Sequence, residues 1–365
     1  MTIKSKVKEK IDPRAIPLIL LLSITEFKLL VIGRTFFPVT ERDSWLAVLL
    51  GGILVILGTY FLLRLMKRFP NKNFFQYLPQ IWGKPLSIII TLGYLLFWAS
   101  YLVLLFDNIS EVNRIFFLEK TPLLLPVFLL AIAAVWLVAY GFAVITRFIQ
   151  IISPLYIIPL MVVLALAIDK IEIHHFFPIL DNGMLPVIKG AILFAGHFHG
   201  LELILFLTPF LKDTRQAFKP TLIGVAVFNF FALIAVILII GILGIKNTNE
   251  VLWPGFTVLS LIEIPGLPAE RFELLLTLPL LITAFVTISI TLYLLSYGIV
   301  QLFNIARKKI VIYITAFFAV LAILLIPNFS WGIVLRDSHI YAALVFVYFL
   351  PFLTLLLAVL RKKGS

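Results

Sequence analysis

The apolar residues of this chain fall into long runs separated by short polar segments. A helix crossing the hydrocarbon core of a bilayer needs about 20 mostly apolar residues. Runs of that kind lie at 15–37, 44–66, 84–106, 121–139, 148–168, 186–210, 220–245, 271–303, 308–326 and 339–360. The pattern predicts an all-α polytopic membrane protein with ten transmembrane helices. The eighth run is long enough for a tilted span plus an interfacial piece. The first, from Ala15 to Pro38, is too long for the apolar core of a cleaved leader and is expected to stay attached as span 1. The longest polar stretches, Phe69 to Lys84, Asp107 to Thr121 and Lys246 to Arg271, are too short for a soluble domain. The whole of 1–365 therefore reads as one integral membrane domain.

Composition agrees with the pattern. Hydrophobic residues make up 62% of the chain and charged residues 13%, against about 25% charged in ordinary soluble domains. A soluble protein of this size would have to expose large greasy patches, so lipid is the expected solvent.

Charge sets the orientation. With a cytoplasmic N-terminus, the inner segments carry 20 of the 30 Lys and Arg residues, from Lys4, Lys6, Lys8 and Lys10 to Arg361, Lys362 and Lys363. Basic residues collect in cytoplasmic loops, so both termini are expected inside, which requires an even number of spans. The net charge of +12 is explained by the same loops, and nucleic acid is not expected as a partner. The absence of cysteine excludes disulfides, zinc–thiolate sites and thiol nucleophiles.

Ten spans divide into five plus five. This suggests an inverted-repeat transporter fold, with repeat one at about 15–168 and repeat two at about 186–326, followed by the rest of the bundle to 360. In such folds discontinuous helices place freed backbone groups at the membrane midplane. Span 1 contains Val31-Ile32-Gly33-Arg34-Thr35 and ends at Pro38. Its counterpart, span 6, contains Ala195-Gly196-His197-Phe198-His199-Gly200-Leu201-Glu202. Two glycines around His-Phe-His, followed by a glutamate, point to an unwound segment. Close packing through Gly196 and Gly200 as a small-xxx-small pair is the simpler alternative. Glu26 and Lys28 also lie within span 1. Two residues apart, they cannot pair on one face of a regular helix, so each needs another partner or a cavity. A structural ion pair between helices and a functional role both fit them.

No enzyme motif stands out: there is no P-loop, nucleophile elbow or HExxH. His197 and His199 are two apart and His174 and His175 adjacent, and neither is a recurrent zinc spacing. No metal and no cofactor is expected.

The residues also carry a likeness. Asp43-Ser44-Trp45-Leu46 opens span 2, Glu119-Lys120-Thr121-Pro122 precedes span 4, and Pro178-Ile179-Leu180-Asp181-Asn182-Gly183 precedes span 6. Gly200-Leu201-Glu202-Leu203 with Pro209, Leu252-Trp253-Pro254 and Glu270-Arg271-Phe272-Glu273 follow in order. In these segments the chain resembles the B subunits of GerA-type spore germinant receptors, within the amino acid–polyamine–organocation transporter superfamily. The resemblance implies a LeuT-like 5+5 fold with broken helices 1 and 6. It also implies a receptor role in the spore inner membrane, with an A subunit and a lipoprotein C subunit as partners and an amino acid or similar small solute as ligand. It places the pocket at Ile32, Gly33, Arg34, Thr35, Tyr94, Trp98, Gly196, His197, His199, Gly200, Thr287 and Thr291. Tyr94 and Trp98, and likewise Thr287 and Thr291, are i, i+4 pairs that share a helix face. Where the family usually has Gly-x-Gly in span 1, this chain has Val31-Ile32-Gly33.

The expected mechanism is ligand sensing. A carboxylate would meet the backbone N–H groups of Gly33 to Thr35 at a half-helix N-terminus, and an ammonium would meet carbonyls freed near Gly196 to Gly200. A proton- or sodium-coupled amino acid symporter is the main alternative, with Glu202 as the proton carrier and Glu26 as a second ionisable candidate. A channel is the third reading.

Overall fold

The computed structural model describes residues 10–26, 28–112, 122, 124–262, 274–326 and 329–364. Among them, seven helices are long and apolar enough to cross a membrane: Phe37–Arg68, Lys84–Val112, Phe142–Lys170, Thr214–Glu250, Pro279–Phe303, Lys308–Leu325 and Trp331–Leu360. An eighth span is a bent pair, Met184–Gly196 with Leu201–Phe210, whose halves meet at 52°. Two shorter apolar helices, Pro13–Thr25 and Leu124–Ala139, supply spans 1 and 4. These segments follow the order of the ten expected spans. The motifs Glu119-Lys120-Thr121 and Glu270-Arg271-Phe272-Glu273 lie outside the described residues.

The bundle is built as a membrane protein must be, with its apolar side chains on both sides of each wall. Leu96 (72% exposed) and Ile151 (79% exposed) face outward, where only lipid makes their exposure favourable. Inside, span 1 packs against spans 5, 7 and 8, and span 2 packs against the first half of span 6 and against span 7.

Side-chain and backbone ties sort the loops into two sets. On one end, Ile11 pairs with Leu211 in an isolated bridge, and Arg361 donates to the Ile81 carbonyl at 2.5 Å. Asn73 on the same end donates to the Tyr297 hydroxyl and to Gln301, at 3.0 and 3.1 Å. On the other end, Arg42 donates to the Phe177 carbonyl and Asp43 accepts from the Leu180 N–H. The first set contains the segments expected inside, and the second those expected outside. Asp43 and Leu180 come from two of the motifs above, so one hydrogen bond joins segments far apart in sequence.

Three boundaries differ from the sequence reading. Span 1 stops being helical at Thr25, well before Gly33. Phe37–Thr40 is already helical, and from Glu41, whose backbone turns to φ 48 and ψ −126, a 3₁₀ turn at Glu41–Asp43 leads into span 2, so the short gap between the first two runs holds little irregular chain. Span 10 starts near Phe329 rather than at 339, because Arg336, Asp337 and His339 sit within a helix. By their charge Arg336 and Asp337 read as loop, whereas His339 is the first residue of the expected run. Further along, that helix widens into a π-turn at Leu344–Phe349, just ahead of Pro351, which has no N–H to donate into the ladder.

Candidate functional site

The site is made by two breaks in regular helix and by the early start of span 10. The first is at Glu26, whose backbone turns to φ 23 and ψ −129. A short helix, Lys28–Val31, follows, and then turns to Phe36 in which Gly33 has φ 94. The second is at 197–200, where Gly200 has φ 103 and a left-handed conformation. A side chain there would be strained by its φ, and its Cβ would lie 3.3 Å from the Ser23 carbonyl oxygen of span 1. Gly200 thus lets the two broken spans pass each other. Beside these two breaks, the early start of span 10 brings Arg336, Asp337 and His339 alongside within a regular helix.

The break at Glu26 overturns one expectation. Glu26 and Lys28 do pair, with Nζ and Oε1 3.7 Å apart and both side chains about 4% exposed. On a regular helix this is excluded, but non-helical backbone at Glu26 swings the two side chains together. Lys28 Nζ also donates to the His199 carbonyl at 3.0 Å, and His199 Nε2 lies 3.8 Å from Glu26 Oε1. One cluster of Glu26, Lys28 and His199 therefore ties broken span 1 to broken span 6. Removing either charge would leave the other buried without its partner, an expensive state in hydrocarbon.

Glu202 is fixed by different neighbours. Its Oε1 accepts from Trp98 Nε1 at 3.1 Å and its Oε2 from the Gly200 N–H at 2.7 Å. Both carboxylate oxygens therefore hold the unwound turn of span 6 against span 3. Trp98 and Tyr94 are rings of an aromatic cluster with Phe75 and Phe206, and the Tyr94 hydroxyl donates to the Phe346 carbonyl. This cluster fills the bundle on the side of the Phe74–Trp82 helix.

Between the breaks and span 10 lies a small cavity, lined among others by Glu26, Lys28, Arg34, Thr35, Tyr101 and Arg336. His197, His199, Asn108, Asp337 and His339 complete its polar wall. It has room for only a few waters, so this conformation is nearly closed. Arg336 donates from Nη2 to Asn108 Oδ1 at 2.5 Å, and its guanidinium lies 5.6 Å from the centre of the Trp253 ring. Rings stack above the ion pair: His339 lies on Phe97 (4.4 Å) and on Tyr101 (5.0 Å), and Tyr101 meets His199 edge-on at 4.2 Å.

Several buried polar atoms along this wall have no hydrogen-bond partner: Glu26 Oε2, Arg34 Nη1, Thr35 Oγ1, Arg336 Nε and His339 Nε2. An unmade bond on a buried group costs roughly 1–3 kcal/mol and more for charged groups. So many in one place mark a surface with unused binding capacity.

The expected site residues divide accordingly. Arg34, Thr35, His197, His199 and Glu26 share the cavity wall. Tyr94, Trp98 and Glu202 form the packed layer beside it. The Thr287 hydroxyl is already committed to the Thr283, Leu22 and Ser23 carbonyls, which makes it a brace between spans 8 and 1. Thr291 and Ile32 are buried, and Gly196 packs on Ile340. The Arg34 N–H, expected to be free for a carboxylate, bonds the Val31 carbonyl at 3.1 Å. The sequence reading missed Tyr101, Asn108, Arg336, Asp337 and His339. Tyr101 continues the Tyr94–Trp98 series and could have been found by its spacing. Arg336 and Asp337 could not, because they read as loop, and His339 stands at the very start of the expected run with nothing to mark it as lining a cavity.

Comparison with known proteins places this geometry in a family. Residues 16–329 match the family model described as spore germination protein. Spore germination protein YndE of Bacillus subtilis (strain 168) is 28% identical over 342 residues, covering 92% of this chain and 93% of that protein. Spore germination protein A2 of the same organism is 24% identical, covering 88% and 87%. Among solved structures, MhsT in complex with L-phenylalanine superposes with a TM-score of 0.67 at 16% identity, over 96% of this chain and 90% of that one. The superposition identifies the fold as that of LeuT-type transporters, and the matched model covers most of the sequence. The chain belongs to the spore germination protein family.

Proposed function

We propose that the chain is the membrane subunit of a nutrient germinant receptor, binding a small zwitterionic solute of the amino acid class in the cavity between spans 1, 3, 6 and 10. The observation that carries this reading is the set of unpartnered charged atoms on one wall. Arg34 Nη1 and Arg336 Nε are donors without acceptors, and Glu26 Oε2 makes no full hydrogen bond, its near neighbour being the equally unpartnered Tyr101 hydroxyl. A carboxylate satisfies the first two and an ammonium the third. The carboxylate site thus shifts from the backbone at Gly33–Thr35 to the two guanidinium groups, whose forked donors suit a carboxylate.

Binding can signal only through a difference in affinity between two conformations. The cavity wall joins two broken spans, 1 and 6, to the continuous helices of spans 3 and 10, so a solute bridging Arg34, Arg336 and Glu26 would favour the arrangement that brings them closest. In this reading the output passes to an A subunit and a lipoprotein C subunit in the spore inner membrane, with both termini of this chain in the cytoplasm. The role is binding and signalling rather than catalysis.

A coupled symporter is the second reading, favoured by the transporter fold. The commitment of both Glu202 oxygens to Trp98 and Gly200 supports a bracing role for that residue over proton carriage. Uptake into proteoliposomes separates the two. With proton and sodium gradients imposed, a mixture of labelled L-amino acids should accumulate no more than in protein-free vesicles. Gradient-driven accumulation abolished by Glu202→Gln would establish the symporter instead.

A further inference from the structure

Away from the cavity, the connection between spans 5 and 6 gathers Glu172, His174 and His175, with one ligand atom from each lying within 4.8 Å of the others. We propose that these three residues form a binding site for a divalent transition-metal ion of the zinc class. The sequence spacing gives no hint of it, since adjacent residues in a regular strand or helix point apart. A 3₁₀ turn at Ile173–Phe176 changes that, bringing the two imidazole centres to 4.3 Å.

The donor atoms converge. His174 Nε2 is 3.4 Å and His175 Nε2 3.8 Å from the same oxygen, Glu172 Oε2. Ligands held tetrahedrally at the usual zinc distances of about 2.0–2.2 Å stand roughly 3.4 Å apart, so both histidine–carboxylate distances are already near that value, and closing on an ion requires mainly that the exposed His174 ring swing toward His175. The tautomer of His175 is already set. Its Nδ1 lies 2.9 Å from the Gly241 carbonyl, which can only accept, so Nδ1 holds the proton and Nε2 presents its lone pair. That second contact is what metal-ligating histidines ordinarily possess. An exposed histidine–carboxylate ion pair is worth little and requires no such bracing.

The site is built across two elements. Gly241 O accepts from the Glu172 N–H at 2.9 Å as well as from His175. Span 7 is kinked nearby at Gly244 (φ 67, ψ 163), where a Cβ would lie 3.0 Å from His175 Nε2. His174 and Glu172 are solvent-exposed, at 73% and 58%, leaving a fourth position open to water or to a group from another chain. A bound ion would fasten the 168–183 connection, which leads into the first half of span 6, onto the kink of span 7.

The test is zinc chloride titrated by calorimetry into the full chain in detergent, purified without a polyhistidine tag, in buffer containing magnesium. One Zn²⁺ per chain is expected, with magnesium failing to compete because it prefers oxygen ligands. Glu172→Gln and His174→Ala, both on exposed side chains and so safe for folding, should each weaken binding at least ten-fold. His339→Ala in the cavity should leave it unchanged. Absence of zinc binding, or binding that survives Glu172→Gln and His174→Ala undiminished, would overturn the proposal.

Discussion

Arg336→Met is expected to abolish high-affinity binding of the solute while leaving the protein folded in the membrane. Arg336 meets the cavity through Nε, which has no partner, while Nη2 is anchored on Asn108. The anchor fixes the guanidinium plane, so the free edge is presented without further ordering. Truncating one partner of a buried, hydrogen-bonded charge pair costs roughly 2–5 kcal/mol, or about 30-fold and upward in affinity. Methionine keeps the apolar stem of the side chain and removes the guanidinium, and with it the charge and every donor. Arg336→Lys should recover part of the loss at most, because an ammonium lacks the planar fork. Binding of labelled L-amino acids to the purified chain measures this, with thermal unfolding of each variant as the control for folding. Affinity in Arg336→Met within a few-fold of wild type would remove Arg336 from the site.

The second large effect is on stability. Lys28→Met takes away the charge 3.7 Å from Glu26 and the donor to the His199 carbonyl. Breaking a buried pair from one side costs about 3–5 kcal/mol, because the surviving charge stays desolvated. Glu26→Gln in the same chain removes that charge, and the double variant should regain most of the loss. The cost is therefore non-additive, as expected for residues in direct contact. Thermal unfolding in one detergent, for wild type, both single variants and the double variant, gives the coupling. Additive losses would mean that the pair does not hold spans 1 and 6 together.

Much of the fold was legible because hydrocarbon imposes length and composition on every span. The long runs from 44, 84, 220 and 308 needed only counting. What the sequence hid was polar residues in helix. Arg336 and Asp337 interrupt the apolar run of span 10, and a hydropathy reading begins the span only after them, at His339. In the bundle their charges face a cavity, so no lipid penalty applies and the helix continues. The pairing of Glu26 with Lys28 was hidden for the complementary reason. Spacing rules assume a regular helix, and the backbone at Glu26 is not one. The break in span 6 was readable because glycine announces it directly, whereas the break at Glu26 has no such marker. Thr287 and Thr291 share a helix face, as spacing indicated, yet spacing could not tell that the Thr287 hydroxyl would be taken up by span 1 carbonyls.

The central claim is that the solute occupies the cavity between the broken spans, and the absence of native cysteine allows a clean measurement of it. Val31 lines the cavity and is half-buried, while Tyr140, in the loop after span 4, is exposed and distant from it. Val31→Cys and Tyr140→Cys would each be labelled with a small methanethiosulfonate reagent, with and without a saturating mixture of L-amino acids. The account predicts that the amino acids slow labelling at position 31 several-fold and leave position 140 unchanged. Equal labelling of Val31→Cys in both conditions, in protein that demonstrably binds the solute, would contradict it.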